Sequence, residues 1–170
     1  DRMAYQATIK KQDLCAIFDI KGKAGAVAQR LWHLDLQLPE NANTASAKGG
    51  QHLCWVGEGH WILLANANDE RQLHDSLSPD DPDMECRVVM VSDVYAFFSV
   101  TGDEADDILA IASPLDTRQP IFADNGATFT ELFGIQALVL RQSDGYDIAV
   151  ERSSADMITQ YFDKISKGGR

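Results

Sequence analysis

The residues best able to hold a metal or attack a substrate are His33, His52, His60 and His74 with Cys15, Cys54 and Cys86. His52 and Cys54 are two apart, so they share one face of a strand, and His60 can return to that face across a hairpin. Zinc accepts such ligands. Catalytic metal sites fix three ligands within a supporting shell, and no HExxH, CxxC or HxH spacing appears here. A partly buried thiol flanked by surface histidines accounts for the same three residues, so no metal site is assigned. A nucleophilic cysteine needs a base and an electropositive setting, and the sequence supplies neither. Gly57, Glu58 and Gly59 lack the third glycine of a dinucleotide fingerprint and join two strands rather than a strand and a helix. There is no P-loop. The acidic pairs Asp80–Asp81 and Asp106–Asp107 fall in a connector and at a helix start, where solvation and the helix dipole explain them. Ser153 reads as a helix cap. Arg152, at a strand end beside a helix start, has the chemistry to hold a carboxylate, but an ordinary surface ion pair is the favoured reading. No catalytic or cofactor-binding residue is assigned.

The elements that would position these residues follow from periodicity. Residues 15–20 are short and β-prone. Val27, Leu31, Leu34 and Leu38 mark a helix over 24–38, which Pro39 stops. Residues 40–51, rich in Asn, Ala, Ser and Gly, read as a loop. Residues 52–56 and 61–65 are strands around a Gly57–Gly59 hairpin. Asn66 and Asn68 cap a helix anchored by Leu73 and Leu77. Residues 78–83 form an acidic, proline-broken connector, and 87–94 a strand. Residues 95–101 are again a strand. Thr101 to Glu104 then read as a capping box for a helix with Ala105, Ile108, Leu109 and Ala112 inward. Pro114 ends it. Residues 118–128 read as a loop, 132–140 as a strand broken at Gly134, and 146–150 as a strand after a Ser143–Gly145 turn. Ser153 to Asp156 suggest a second capping box, for a helix carrying Met157, Ile158, Tyr161, Phe162 and Ile165. Lys164, Lys167 and Gly168 close it.

The same order of elements therefore occurs twice, 80 to 85 residues apart by pattern rather than identity. The expected fold is one α+β domain over 1–170, made of two β-α-β-β-α pseudo-repeats, about 13–94 and 95–166, with mostly antiparallel sheets. Trp32, Trp55 and Trp61 suit either a core or a subunit interface.

The chain has 170 residues, 45% hydrophobic, with 15 basic against 26 acidic side chains and a net charge of −11. Enough apolar surface is present for a packed core. The acidic balance speaks against nucleic acid and anionic membrane, and favours basic partner surface. Three cysteines without pairing motifs, a polar stretch over 1–12 and no long apolar run point to a reduced, cytoplasmic setting.

Four stretches go further. LCWVGEGHWILL at 53–64 resembles the Trp–(Leu/Val)–Gly–x–x–x–Trp–Leu–Leu hairpin of sarcosine oxidase gamma subunits. VSDVY at 91–95 and VTGDEADDIL at 100–109 resemble that family's "V(S/T)D…LSGPxARDVL" segment. PLDTR at 114–118, with Phe122, Ala127 and Thr128, resembles "xLDLHPxxFxxGxxAQT". YDIAVERSSA at 146–155 is similar to "FDLYVxRSFA". The match runs in order over about 12–165. The resemblance implies a fold like an aminomethyltransferase (glycine-cleavage T-protein) folate-binding domain. It implies a heterotetramer with alpha, beta and delta partner subunits that carry FAD, FMN, NAD and tetrahydrofolate, this chain binding no cofactor itself. It also implies oxidative demethylation of sarcosine or a similar N-methyl amine by the whole complex. A stand-alone folate-binding or aminomethyltransferase-like protein is the alternative. Trp55, Trp61, Asp116, Arg118 and Arg152 are the motif positions expected at an interface.

Overall fold

The computed structural model describes residues 5–78 and 85–167. The 78–83 connector, with the Asp80–Asp81 pair, and Gly168 lie wholly or mostly outside them. Among the described residues, ten strands and four α-helices follow one another, first β1 (Thr8–Gln12), β2 (Cys15–Gly22), α1 (Ala24–Leu31), β3 (Ala45–Lys48), β4 (Gln51–Gly57), β5 (His60–Asn66) and α2 (Glu70–Leu77). Then come β6 (Cys86–Met90), β7 (Tyr95–Thr101), α3 (Ala105–Ala112), β8 (Ala127–Leu132), β9 (Ile135–Gln142), β10 (Gly145–Glu151) and α4 (Ala155–Ser166). The chain divides into two compact units, Leu14–Ser92 and Asp1–Asp13 with Asp93–Arg170.

The first unit is an antiparallel sheet in the order β3-β4-β5-β2-β6. Alternation sends Ala16, Phe18 and Ile20 of β2, Leu53 of β4 and Trp61, Leu63 and Ala65 of β5 to one face. Helices α1 and α2 cover that face with Val27, Leu31, Leu73 and Leu77. The second unit repeats the plan, β1-β7-β10-β9-β8. Phe98, Val100, Val139, Tyr146, Ile148 and Val150 meet Ile108 and Leu109 of α3 and Ile158 and Phe162 of α4. The α+β class and the mostly antiparallel duplication expected from the sequence are what the structure has.

Four expectations give way to local physics. The expected loops over 40–51 and 118–128 contain β3 and the start of β8, polar edge strands that hydropathy alone does not mark. The expected 132–140 strand is a hairpin. Phe133 (φ 52) and Gly134 (φ 81) are both left-handed, as a two-residue turn matching the strand twist requires. Phe133 tolerates this position while stacked on Tyr161 at 4.9 Å. The helix over 24–38 ends at Leu31, passes through a 3-10 turn at Trp32–Leu34 and stops at Asp35, also left-handed. Neither capping box forms. Glu104 spends its carboxylate on the backbone N–H of Gln6, and the Ser153 hydroxyl donates to Glu151 at 3.0 Å. The Asn66 cap does form, its side chain accepting from Asn68 N–H at 2.9 Å. The polar stretch over 1–12 supplies β1.

Two glycines have opposite roles, and substitution should separate them. A Cβ on Gly145 (φ 153) would sit 2.0 Å from the Val100 carbonyl oxygen, whereas a Cβ on Gly25, in α1, meets nothing within 4 Å. Gly145→Ala should therefore lower the thermal midpoint by many degrees. Gly25→Ala should raise stability by about 0.5–1 kcal/mol through helix propensity. Urea titration of both variants checks the opposite signs.

Candidate functional site

The β4–β5 register places His52 opposite Leu64 and Cys54 opposite Ile62, with His60 paired to Gly57, so the three share a face as the spacing implies. They do not form a ligand set. Cys54 is fully buried, and burial pushes its thiol up to about 12. His60 Nε2 lies 2.6 Å from Asp19 Oδ1, whose other oxygen is 3.6 Å from Lys21 Nζ. Among the described residues, no three His, Cys, Asp or Glu side chains are placed to hold a metal ion.

Asp116 and Arg118 form a closed local clamp in the α3–β8 connection. Asp116 Oδ1 accepts from Arg118 N–H at 3.1 Å and Nε at 2.8 Å, and Oδ2 accepts from Nη2 at 2.6 Å. The Arg118 side-chain hydrogen bonds hold the Asp116 carboxyl down at about 2. Arg118 remains open to solvent. Arg152 sits in the 3-10 turn after β10, exposed, with Nη2 donating to the Tyr95 carbonyl at 3.3 Å. Among the described residues no ion pair joins it to the clamp.

The two units meet one problem at one place, the mouth of the central hairpin, and solve it differently. In the first unit Trp55 and Trp61 are cross-strand partners with centroids 6.3 Å apart and planes 16° apart. Trp61 belongs to the core, and half-buried Trp55 donates its Nε1–H to the Gly57 carbonyl at 2.8 Å. In the second unit the corresponding partners are Arg141 and Tyr146. The Arg141 guanidinium lies 5.2 Å from the Tyr146 ring and 5.3 Å from that of Phe122, and one Nη donates to the Thr117 carbonyl. The buried Tyr146 hydroxyl donates to the Asp106 carboxylate.

Beside this pair opens a cleft of about 360 Å³, walled by Gly102, Asp103 and Asp106 at the start of α3 and by Gln142, Ser143 and Asp144 at the β9–β10 turn. The sequence reading did not single out Arg141 or Tyr146. The available signal was an arginine in an apolar strand, five residues before a tyrosine across a Ser-Asp-Gly turn. Burial pushes the Tyr146 phenol up to about 12, helped by its bond to Asp106 and opposed by Thr117 and the Arg141 charge. That direction suits a structural hydroxyl, since a base or nucleophile working near neutral pH needs the reverse.

No protein-family model matches the sequence, and no curated protein matches it. Solved structures do resemble it. A chain of the heterotetrameric sarcosine oxidase from Corynebacterium sp. U-96, in complex with pyrrole 2-carboxylate, superposes with a TM-score of 0.77 at 19% identity, over 96% of this chain and 86% of that one. The glycine cleavage system aminomethyltransferase T from Bartonella henselae superposes with a TM-score of 0.66 at 16% identity, over 92% of this chain and 45% of that one. The fold is thus shared with both, and this chain spans about half of the aminomethyltransferase.

Tyr146→Phe tests the buried network. At pH 8 it should cost about 1 kcal/mol by leaving Asp106 without its donor. The phenol's proton is held more tightly in the folded state. Its contribution is therefore complete below the unfolded pKa near 10 and lost as pH rises toward about 12. Wild-type protein should lose stability between pH 10 and 12 more steeply than the variant, as read from urea midpoints at several pH values. Cys54, by the same logic of burial, should resist iodoacetamide at pH 8 until the protein is unfolded.

Proposed function

We propose that this chain is a small non-catalytic subunit of a flavin-dependent oxidase of the sarcosine, or N-methyl amine, type. In this reading it corresponds to a gamma subunit and supports assembly with larger alpha, beta and delta subunits that hold FAD, FMN, NAD and tetrahydrofolate. The observation that carries the reading is the likeness to a chain of a heterotetrameric sarcosine oxidase. It extends over nearly the whole of both chains, so the two are of similar length. The ordered motif series at 53–64, 91–109, 114–128 and 146–155 supports it independently of the fold. The charge of −11 favours docking against basic surface. Arg118, exposed and pre-set by Asp116, and Arg152, at the β10 end, are the proposed docking positions, with the exposed edge of Trp55 beside the β4–β5 hairpin.

A second reading, a stand-alone folate-binding protein, is favoured by the aminomethyltransferase likeness. It differs from the first in what the isolated chain binds.

Affinity capture of the chain from its native cells, followed by a visible spectrum of the eluate, distinguishes the two. The subunit reading expects larger chains and flavin absorption in the eluate. Capture of the chain alone, together with tight calorimetric binding of tetrahydrofolate to it, overturns that reading in favour of the second. Within the complex, Arg118→Ala or Arg152→Ala at a docking hot spot should weaken capture by about five-fold or more.

A further inference from the structure

The two hairpin mouths differ in one further respect. Ile20 pairs with Trp61 across the ladder as Val100 pairs with Tyr146. Gly22 N–H donates to the Gly59 carbonyl at the end of β2, and Gly102 N–H donates to the Asp144 carbonyl at the end of β7. The helices that follow begin alike, with Val27 N–H on the Lys23 carbonyl and Ile108 N–H on the Glu104 carbonyl. Val27 thus corresponds to Ile108, and the residues two before them, Gly25 and Asp106, correspond to each other. Asp106 accepts from the buried Tyr146 hydroxyl, reaching it from an exposed position in the first turn of α3. At Gly25, also exposed, there is no side chain, and a Cβ there would meet nothing within 4 Å.

The first unit therefore keeps the donor and lacks the acceptor. Trp61 is 3% exposed, and its Nε1–H has no acceptor among the described residues. A buried donor in that state is costly and calls for a partner. The start of α1 lacks negative charge as well. Its N-cap residue, Lys23, makes no side-chain cap, and its first turn has no acidic residue, whereas that of α3 has Asp106 and Asp107. Glu85, whose carbonyl accepts from Lys23 N–H, gives its own carboxylate to Lys23 Nζ at 2.5 Å. The leading N–H groups of a helix, at the positive end of its dipole, attract an anion.

We propose that the first turn of α1, at Gly25, is a carboxylate-binding site. A carboxylate from outside the chain takes the place that Asp106 fills in the second unit, accepting from Trp61 Nε1–H and from the leading N–H groups of α1. The second unit shows that such a group reaches the buried donor from the surface. The class is a carboxylate and not a more highly charged anion, because the place corresponds to one aspartate side chain and the nearest cation, Lys23, is already paired. A small free carboxylate and an Asp or Glu side chain of a docked partner share this chemistry.

The test is an NMR titration of the whole chain with sodium acetate, and with sodium chloride at equal ionic strength, reading the indole N–H signals. Trp32→Phe and Trp55→Phe identify the signals of the two less buried rings and so that of Trp61. The Trp61 signal should move downfield and saturate with millimolar acetate, while chloride leaves it in place. Gly25→Asp supplies the carboxylate from the chain itself. Its Trp61 signal should start near the acetate-saturated position, and acetate should no longer move it. Gly25→Ala, which adds no acceptor, should start where the wild type does. A Trp61 signal that acetate does not move, one that chloride moves equally, or a Gly25→Asp signal at the acetate-free position would each overturn the proposal. Capture from native cells then distinguishes the sources. A loss of about five-fold or more for Gly25→Asp identifies the ligand as a partner's side chain, and undiminished capture identifies it as a small free carboxylate. The titration needs this chain alone, so its result is independent of the subunit reading.

Discussion

Strands β2 and β7 are buried on both faces, and this is the constraint from which the architecture follows. Ala16, Ile17, Phe18 and Ile20 are at most 1% exposed, and every residue from Ala96 to Val100 is at most 7% exposed. A backbone shielded from water on both faces must find its hydrogen bonds in neighbouring strands, because each buried orphan costs about 1–3 kcal/mol. The hairpin strands β5 and β10 satisfy one edge of each. The other edge needs a fifth strand. The chain supplies it from β6 for β2 and from β1 for β7, so a polar run with almost no buried side chain becomes essential to a core it hardly touches.

That constraint also explains what the sequence could and could not reveal. The apolar faces of β2, β5, β7 and β10 are local signals, and so are the inward residues of α1, α3 and α4. Strand β7 lies where periodicity puts it, at Tyr95–Thr101. Strands β1, β3 and β8 are recruited by neighbours distant in sequence, and their own residues carry little hydropathy, so composition reads them as tail or loop. The absent capping box at Thr101–Glu104 has the same origin. The Glu104 side chain that would reach back to its own helix start is taken by Gln6, 98 residues away. Tertiary demand overrides a local motif whose spacing is correct.

The candidate site divides along the same line. Asp116 and Arg118 are two residues apart and stood out in the sequence only as motif positions of the resemblance; their clamp is a finding of the structure. Arg141, Tyr146 and Asp106 come from β9, β10 and α3, and only the folded sheet brings them together. The Trp55–Trp61 and Arg141–Tyr146 pairs occupy corresponding places, so a cross-strand contact on an aromatic ring is common to both units while its chemistry differs. Among the described residues, each solution leaves one buried donor without an acceptor, Trp61 Nε1 in one unit and Arg141 Nε in the other. At the first site the Trp61 ring lies nearly parallel to Trp55, 16° apart, and at the second the Arg141 guanidinium sits 5.2 Å from the Tyr146 ring.

This divergence bears on what the scaffold is for. A duplicated fold could use its paired hairpin mouths as two halves of an active site, with groups tuned to exchange protons near neutrality. Here the displaced groups move the other way. Tyr146 and Cys54 are held protonated to about 12, and Asp116 is held ionised down to about 2. Each is fixed in one protonation state across the physiological range, which stabilises a shape and keeps its charge constant. The proposed role as an assembly subunit rests on the likeness of fold and on the motif series, and groups fixed in this way are compatible with it.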